Sequence, residues 1–161
     1  MAVAWKEFEA RAPGLASAGR RLIYPLGPQG PGLGFLATTR TDGGPRVHPV
    51  CPAIHNGTLC VFVVGDSPKR GDLVRDGRYA FHVFPGQEDD ESFYCTGPAV
   101  EVKDTARRRS AESSVVHNVR PDEVLFELLV ERVLHTTWIN PRQPDTRPVY
   151  TRWRADRNSV P

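Results

Sequence analysis

The amino-acid sequence predicts a mainly β protein, an antiparallel barrel of six or seven strands with few, peripheral helices. Short apolar or alternating segments follow one another closely and are separated by turns rich in Gly, Pro and Asn. A Gly97-Pro98 pair interrupts the longest segment, and bends of this kind let a small sheet close on itself. The strand-like segments are 33–39, 46–51, 59–64, 79–84, 92–103, 124–138 and 149–154.

The helical segments are few and lie mostly outside the predicted barrel. Helical spacing of apolar residues, helix-capping residues and Pro at the first helical position indicate helices at 3–11, 13–24, 68–76 and 104–116. Segment 124–138 is the ambiguous one, because Leu125, Leu128, Leu129 and Arg132 also fit the spacing of a helix. Its apolar, β-branched character favours a strand.

The 161 residues are expected to form one domain. Residues 1–32 are a helical lead-in that ends in a Gly- and Pro-rich loop, 33–155 form the barrel, and 156–161 are a tail. Residues 87–91, with four acidic side chains in a row, are expected to be a solvated loop.

The composition excludes several classes of protein. The formal charge of +2 does not favour a nucleic-acid or membrane partner, and the arginines at 107–109 have no aromatic residues beside them. Three cysteines without CxxC or HxxxH spacing argue against a disulfide framework and against a metal site. With neither an apolar run of about 18 residues nor a signal peptide, we expect a soluble, cytoplasmic protein.

The second predicted strand, 46–51, is expected to be irregular where His48 and Pro49 lie. Prolines have no amide donor and are confined to sheet edges, bulges and strand starts. Such a strand presents unpaired backbone groups to a ligand or partner. For His48 a role in the site and a purely structural role are equally well supported.

The stretch Leu59 to Leu73 joins a strand to a helix through a turn that suits an anion. Residues 59–64 are apolar on both faces, which is typical of a buried strand. Ser67 is placed as the helix N-cap, and the first N–H groups of a helix attract phosphate. Lys69 and Arg70 add positive charge. An ordinary capped surface helix is the alternative.

Three motifs in order, ATTRTDGGPRVHPV, FVVGDSPKRGDLVRDGRYAFHV and FYCTGPAVEV, resemble the pyridoxamine 5'-phosphate oxidase-like FMN-binding split-barrel family. The likeness spans about residues 33–103. It implies a split β-barrel of the FMN-binding type that pairs into a homodimer, with FMN or a related deazaflavin coenzyme at the interface. Ser67-Pro68-Lys69 stands where many relatives have Ser-Arg-Lys, and an arginine returns at Arg70.

The resemblance also implies a set of cofactor-binding residues. Ser67 and Lys69 match the phosphate-binding positions, and the strand from Arg46 to Pro49 matches the one that faces the flavin ring. Val63 would flank the phosphate and Leu73 would anchor the helix, although a plain core role is the better-supported interpretation of both. Trp138 and Trp153 could stack on the ring from a partner subunit, and an ordinary dimer interface explains them equally well. The full set is Arg46, Val47, His48, Pro49, Val63, Ser67, Lys69, Arg70, Leu73 and Trp138.

The function implied is two-electron redox chemistry on a small organic molecule by an FMN-dependent oxidoreductase. Because the flavin carries this chemistry, no catalytic acid or base is required, and no catalytic residue is assigned. One alternative is a reductase that uses the deazaflavin of the coenzyme F-420 type. Another is a non-enzymatic protein that binds flavin or haem. The short tail argues against pyridoxamine phosphate as the substrate.

Overall fold

The computed structural model describes residues 1–83 and 90–155. The predicted tail, 156–161, and positions 87–89 of the predicted acidic loop lie outside the described residues. Among those described, no helix is long and apolar enough to cross a membrane. The helices are α1 (Trp5–Arg11), α2 (Pro13–Ile23), α3 (Pro68–Arg75) and α4 (Thr105–Glu112). The strands are β1 (Gly34–Thr39), β2 (Pro45–Val50), β3 (Ala53–His55), β4 (Thr58–Val64), β5 (Arg78–Val83), β6 (Ser92–Glu101), β7 (Glu123–Leu128), β8 (Arg132–Ile139) and β9 (Arg147–Arg154).

The strands form one antiparallel sheet in the order β2-β1-β5-β6-β7-β4-β3, with β8 on β6 and β9 on β8. Strand β6 holds the two halves together. Its residues 92–96 pair with β8, whereas 99–101 pair with β7. The change of partner falls at Gly97-Pro98, where a Cβ on Gly97 would overlap the carbonyl oxygen of Leu129. The predicted mainly β, antiparallel fold is confirmed. At Gly97-Pro98, where the sequence predicted a bend, β6 is continuous and changes its partner from β8 to β7.

The described residues form nine strands instead of six or seven, for two reasons. The predicted segment 124–138 is neither a single strand nor a helix. It divides into β7 and β8, which pair with different halves of β6, and Val130 between them bridges to Val3. The short strand β3 forms the first arm of the hairpin whose turn is Asn56-Gly57, both with positive φ.

The prediction that β2 is irregular at His48 and Pro49 is wrong. The register with β1 is unbroken from Thr39 opposite Pro45 to Gly34 opposite Val50. Among the described strands, β2 is at the end of the sheet order, so its prolines lie on an edge, where a missing amide donor costs nothing.

Two cores lie on either side of β4. Leu59, Val61 and Val63 point into the main core, whereas Cys60 and Phe62 point into a smaller core covered by α4. Burial of β4 on both faces is therefore confirmed. The N-terminal helices contribute to the main core through Trp5 and Phe8, whose rings meet edge to face at 5.2 Å.

Candidate functional site

The turn between β4 and α3 ends with Ser67, the predicted N-cap. Its Oγ accepts a hydrogen bond from the Arg70 N–H at 3.4 Å and donates one to the Val64 carbonyl at 2.7 Å. Pro68 occupies the first helical position and has no N–H. The Lys69 N–H lies in the first turn, where a helix provides no backbone acceptor. This end of α3 is a capped start with an amide directed outward.

The second part of the predicted site is strand β2, which has an open edge because it is at the end of the sheet order among the described strands. Arg40 N–H donates to the Gly44 carbonyl at 2.8 Å, which makes Gly44 and Arg40 a hydrogen-bonded pair of the β1–β2 ladder. Hydrogen-bonded and non-hydrogen-bonded pairs alternate in such a ladder, so Val47 belongs to the second kind. The N–H and C=O of Val47 therefore face away from β1, toward the edge. Its side chain is 58% exposed.

Asp72, a buried residue of α3, fastens the helix to the β1–β2 hairpin. Its carboxylate accepts hydrogen bonds from the Arg46 Nε at 2.7 Å, the Thr38 Oγ1 at 2.9 Å and the Arg75 Nη1 at 3.3 Å. Burial alone would raise the pKa of Asp72, but the hydrogen bonds from Arg46, Thr38 and Arg75 outweigh it and lower the pKa. Sequence reasoning missed Asp72, which reads as an ordinary acid on a helix surface.

Arg46 uses only its Nε in the contact with Asp72. No described residue accepts a hydrogen bond from its two terminal nitrogens, and its side chain is 27% exposed. Likewise, no carboxylate among the described residues pairs with the Lys69 ammonium. The structure thus brings together two cations with unused donors, one held by a buried carboxylate and one on the adjacent helix.

His48 lies on the same face of β2 as Arg46. Its Nε2 is buried and has no hydrogen-bond partner among the described residues. Burial lowers the pKa of His48, and the charges of Lys69 and Arg46 lower it further, against an opposing effect of Asp72. The imidazole is therefore a neutral group with a buried Nε2, close to two cations.

The remaining predicted site residues do not join the cluster of Arg46, His48 and Lys69. Val63 and Leu73 are core residues, at most 2% exposed. The Arg70 side chain turns to Glu101 on β6, with 3.4 Å between Nη2 and Oε2. Pro49 lies on the edge strand with Val47. Trp138 is on β8, which three strands separate from β2, and its indole N–H donates to the Asp90 carbonyl at 3.1 Å.

Glu91 corrects the prediction that the acidic run at 87–91 is solvated. This carboxylate is only 8% exposed. It accepts hydrogen bonds from Arg21 of α2, at 2.6 and 2.7 Å, and lies 2.6 Å from the Nε2 of His135 on β8. Burial raises the pKa of Glu91, but these two partners reverse the effect and lower it. Glu91 therefore ties the N-terminal helices to the barrel.

A groove of about 570 Å³ crosses the outer face of the sheet, which is the size of many small-molecule sites. Ala37, Ala80, Thr96 and Arg132 form one cross-strand row along it, and Val47 continues the row at the open edge. Within the described residues, no group of three His, Cys, Asp or Glu side chains could hold a metal ion.

Comparison with solved structures identifies the fold. One similar structure is a pyridoxamine 5'-phosphate oxidase-related, FMN-binding protein of Nostoc punctiforme, with TM-score 0.58, 12% identity, and coverage of 90% of this chain and 96% of that one. A haem-binding protein of Mycobacterium smegmatis matches with TM-score 0.59 and 20% identity over 83% of this chain, which spans 57% of that protein. An F420 reductase matches with TM-score 0.52 and 18% identity, over 66% of this chain and 91% of the reductase.

The chain therefore has the split-barrel fold of the pyridoxamine 5'-phosphate oxidase-like FMN-binding proteins, as its motifs predicted. By sequence alone, no family model and no curated protein matches it. Among the solved structures of this fold are proteins described as binding FMN or haem and one described as an F420 reductase.

Proposed function

We propose that this protein binds a phosphorylated flavin, FMN in the first place, and acts as an oxidoreductase on a small organic molecule. The observation that carries the proposal is that Arg46 and Lys69 both lie near the unpartnered Nε2 of His48, beside α3. An anionic group would accept hydrogen bonds from the unused donors of the two cations and would provide a partner for the buried ring nitrogen.

The residues present fit the phosphate of FMN. The terminal nitrogens of Arg46 offer a planar pair of donors, and the Lys69 ammonium adds a second charge. The Lys69 N–H at the start of α3 adds a backbone donor with the helix dipole behind it. Asp72 holds Arg46 in place, so little side-chain entropy is lost when phosphate binds. Ser67 joins only if its hydroxyl turns from the Val64 carbonyl, to which it donates here.

The open edge of β2 fits the polar rim of a flavin ring. Val47 directs both its N–H and its C=O toward this edge. A ring with alternating donors and acceptors can bond to such an edge as another strand would. Bound flavin supplies the two-electron chemistry, and the chain's part is to hold the phosphate, fix the ring plane and shield one face from water.

We further propose that two copies pair through the outer face of the sheet. The strand registers place Phe35, Val47, Trp138 and Tyr150 on this one face, and each is at least 37% exposed. Exposed aromatic side chains on one face of a sheet are typical of an interface. A second copy would also cover the groove beside β2 and close the flavin site. A Tyr150→Glu variant is expected to sediment as a monomer where the wild type sediments as a dimer.

A deazaflavin of the coenzyme F-420 type is the second candidate cofactor. The fold likeness to an F420 reductase favours it, and the cationic end of the site would also accept its phosphate. Three free thiols fit a reducing compartment, and we place the protein in the cytoplasm.

The test is a titration of the cofactor-free protein with FMN and with the deazaflavin, followed by the change in flavin absorbance. Lys69→Ala is expected to weaken binding about 10- to 100-fold, the effect of losing a hydrogen bond to a charged group. Lys103→Ala removes an exposed lysine outside the site and serves as the matched control. Failure of both ligands to bind the wild type would refute the proposal. A shift of the haem absorbance bands on adding haem would then indicate a haem-binding protein instead.

A further inference from the structure

Binding of a phosphate by Arg46 and Lys69 does not explain why the site also contains His48. The Nε2 of His48 is buried without a hydrogen-bond partner among the described residues. An unsatisfied buried nitrogen costs free energy, and the apolar residue opposite it in the ladder, Leu36, provides no partner. A side chain such as Val or Leu would fill the same position on an edge strand without that cost.

The charged groups near His48 lie on its own strand, β2, and on helix α3. Arg46 lies on the same face of β2, and α3 contributes Lys69 and Asp72. Asp72 already accepts hydrogen bonds from Arg46, Thr38 and Arg75. Burial and the two cations together lower the pKa of His48, so the ring is neutral in the absence of a ligand at neutral pH.

A phosphate dianion between Arg46 and Lys69 would reverse this balance. It would neutralise the two cations that oppose protonation and place two negative charges near the imidazole. Oxygen acceptors would then be close to a nitrogen that has none. Protonated imidazole donates from both nitrogens, so the bound state favours the charged ring.

We propose that His48 takes up one proton when the phosphate of the cofactor binds and that its Nε2 then donates a hydrogen bond to a phosphate oxygen. The proton comes from solvent, the phosphate keeps both negative charges, and no electrons are transferred. The inference rests on the proposed function, because it assigns His48 a role at the same phosphate. It makes phosphate recognition dependent on pH and selective for FMN over riboflavin, which has the same ring and no phosphate.

The pH dependence follows by linkage. Affinity for FMN should rise as the pH falls through the range between the free and bound pKa of His48, by at most about tenfold per pH unit. Riboflavin should show no such rise. His48→Gln keeps an amide donor near the same place but cannot titrate, and its FMN affinity should lose this part of the pH dependence.

The test is isothermal titration calorimetry with FMN at neutral pH, in two buffers that differ in ionisation enthalpy. The difference in apparent heat gives the number of protons taken up. The phosphate of FMN itself titrates near pH 6, roughly as other phosphate monoesters do. The informative quantity is therefore the number of protons taken up by the wild type minus the number taken up by His48→Gln. We expect up to one proton more for the wild type, and no difference between the two proteins with riboflavin.

An equal proton count in the two proteins would overturn the role of His48 while leaving flavin binding intact. If His48→Gln does not fold, the ring nitrogens of wild-type His48 are followed by NMR with and without FMN. An unchanged titration of the ring would likewise overturn the inference, and an upward shift would support it. Absence of any FMN or deazaflavin binding is a separate outcome, which refutes the proposed function and this inference together.

Discussion

Among the described residues, two buried carboxylates fasten a helix to the sheet, and their partners differ in how many hydrogen-bond donors remain unused. Glu91 joins α2 and β8 through Arg21 and His135. Asp72 joins α3 to the β1–β2 hairpin through Thr38 and Arg46, and it also accepts a hydrogen bond from Arg75 of the same helix. Both carboxylates are at most 8% exposed, and the pKa of each is held below its ordinary value by its partners.

The difference lies in the partners. At Glu91, Arg21 donates two hydrogen bonds to the carboxylate, and the His135 ring lies within hydrogen-bond distance. At Asp72, Arg46 spends one donor, while Lys69 and His48 close by have no partner among the described residues. Polar groups that are satisfied stabilise a fold, and polar groups left unsatisfied in a cluster indicate a ligand. We therefore interpret Glu91 as structural and the region of Asp72 as the site.

Asp72→Ala should have the largest effect. It leaves Arg46 and Arg75 without their shared carboxylate, and removal of one partner of a buried pair costs about 3 kcal/mol or more. We expect a loss of that size in the free energy of unfolding, measured in urea, together with much weaker FMN binding. Asp66→Asn, an exposed acid in the turn before α3, is the control and should change stability little. A stable Asp72→Ala variant with wild-type FMN affinity would contradict the comparison.

Glu91→Ala should separate stability from binding. Loss of the carboxylate removes charged hydrogen bonds to Arg21 and His135, which costs about 2 kcal/mol of unfolding free energy. Arg21 is 60% exposed and can turn to water, so the loss is smaller than at Asp72. FMN affinity should stay within a factor of two of the wild type. A large drop in affinity would show that Glu91 also belongs to the site.

Both carboxylates should make the protein sensitive to acid. Each has a lower pKa in the folded state, so its contribution is present above the ordinary pKa of about 4 and is lost as pH falls through the folded value. The contribution of the two carboxylates should be level from pH 7 to 5 and fall below pH 4, by up to about 1.4 kcal/mol per pH unit for each. Urea unfolding of Asp72→Asn and Glu91→Gln from pH 7 to 3 should show shallower falls than the wild type. Parallel curves for all three proteins would rule the carboxylates out as the cause.

Sequence reasoning succeeded where the signal is local. Ser67 before Pro68 predicts the N-cap of α3. The two apolar faces of 59–64 predict a buried strand, and Gly97-Pro98 marks the point where β6 changes partner. Each of these depends on residues within a few positions of one another.

It failed where a residue's environment is made by distant segments. Asp72 and Glu91 occupy polar stretches, so nothing beside them in the sequence indicates burial. Their burial comes from β1, β2 and α2, which lie 26 to 70 positions away. The division of 124–138 into two strands has the same origin, because it depends on which half of β6 each piece meets. A buried acid needs a basic partner, but the sequence has 21 basic residues. It therefore does not indicate which acid is paired.

The smallest effect should come from the exposed arginine at each cluster. Arg75 and Arg21 both bond to a buried carboxylate, but their side chains are 38% and 60% exposed. Ion pairs with an exposed arginine contribute about 1 kcal/mol or less. Each carboxylate also keeps its other partners, Thr38 and Arg46 for Asp72 and His135 for Glu91. Arg75→Met and Arg21→Met should therefore destabilise the protein equally little in urea unfolding. Because Asp72 still holds Arg46 in the first variant, FMN affinity should also be unchanged. Weaker FMN binding by Arg75→Met alone would mean that Asp72 needs both arginines to position Arg46, which would extend the site to the far end of α3.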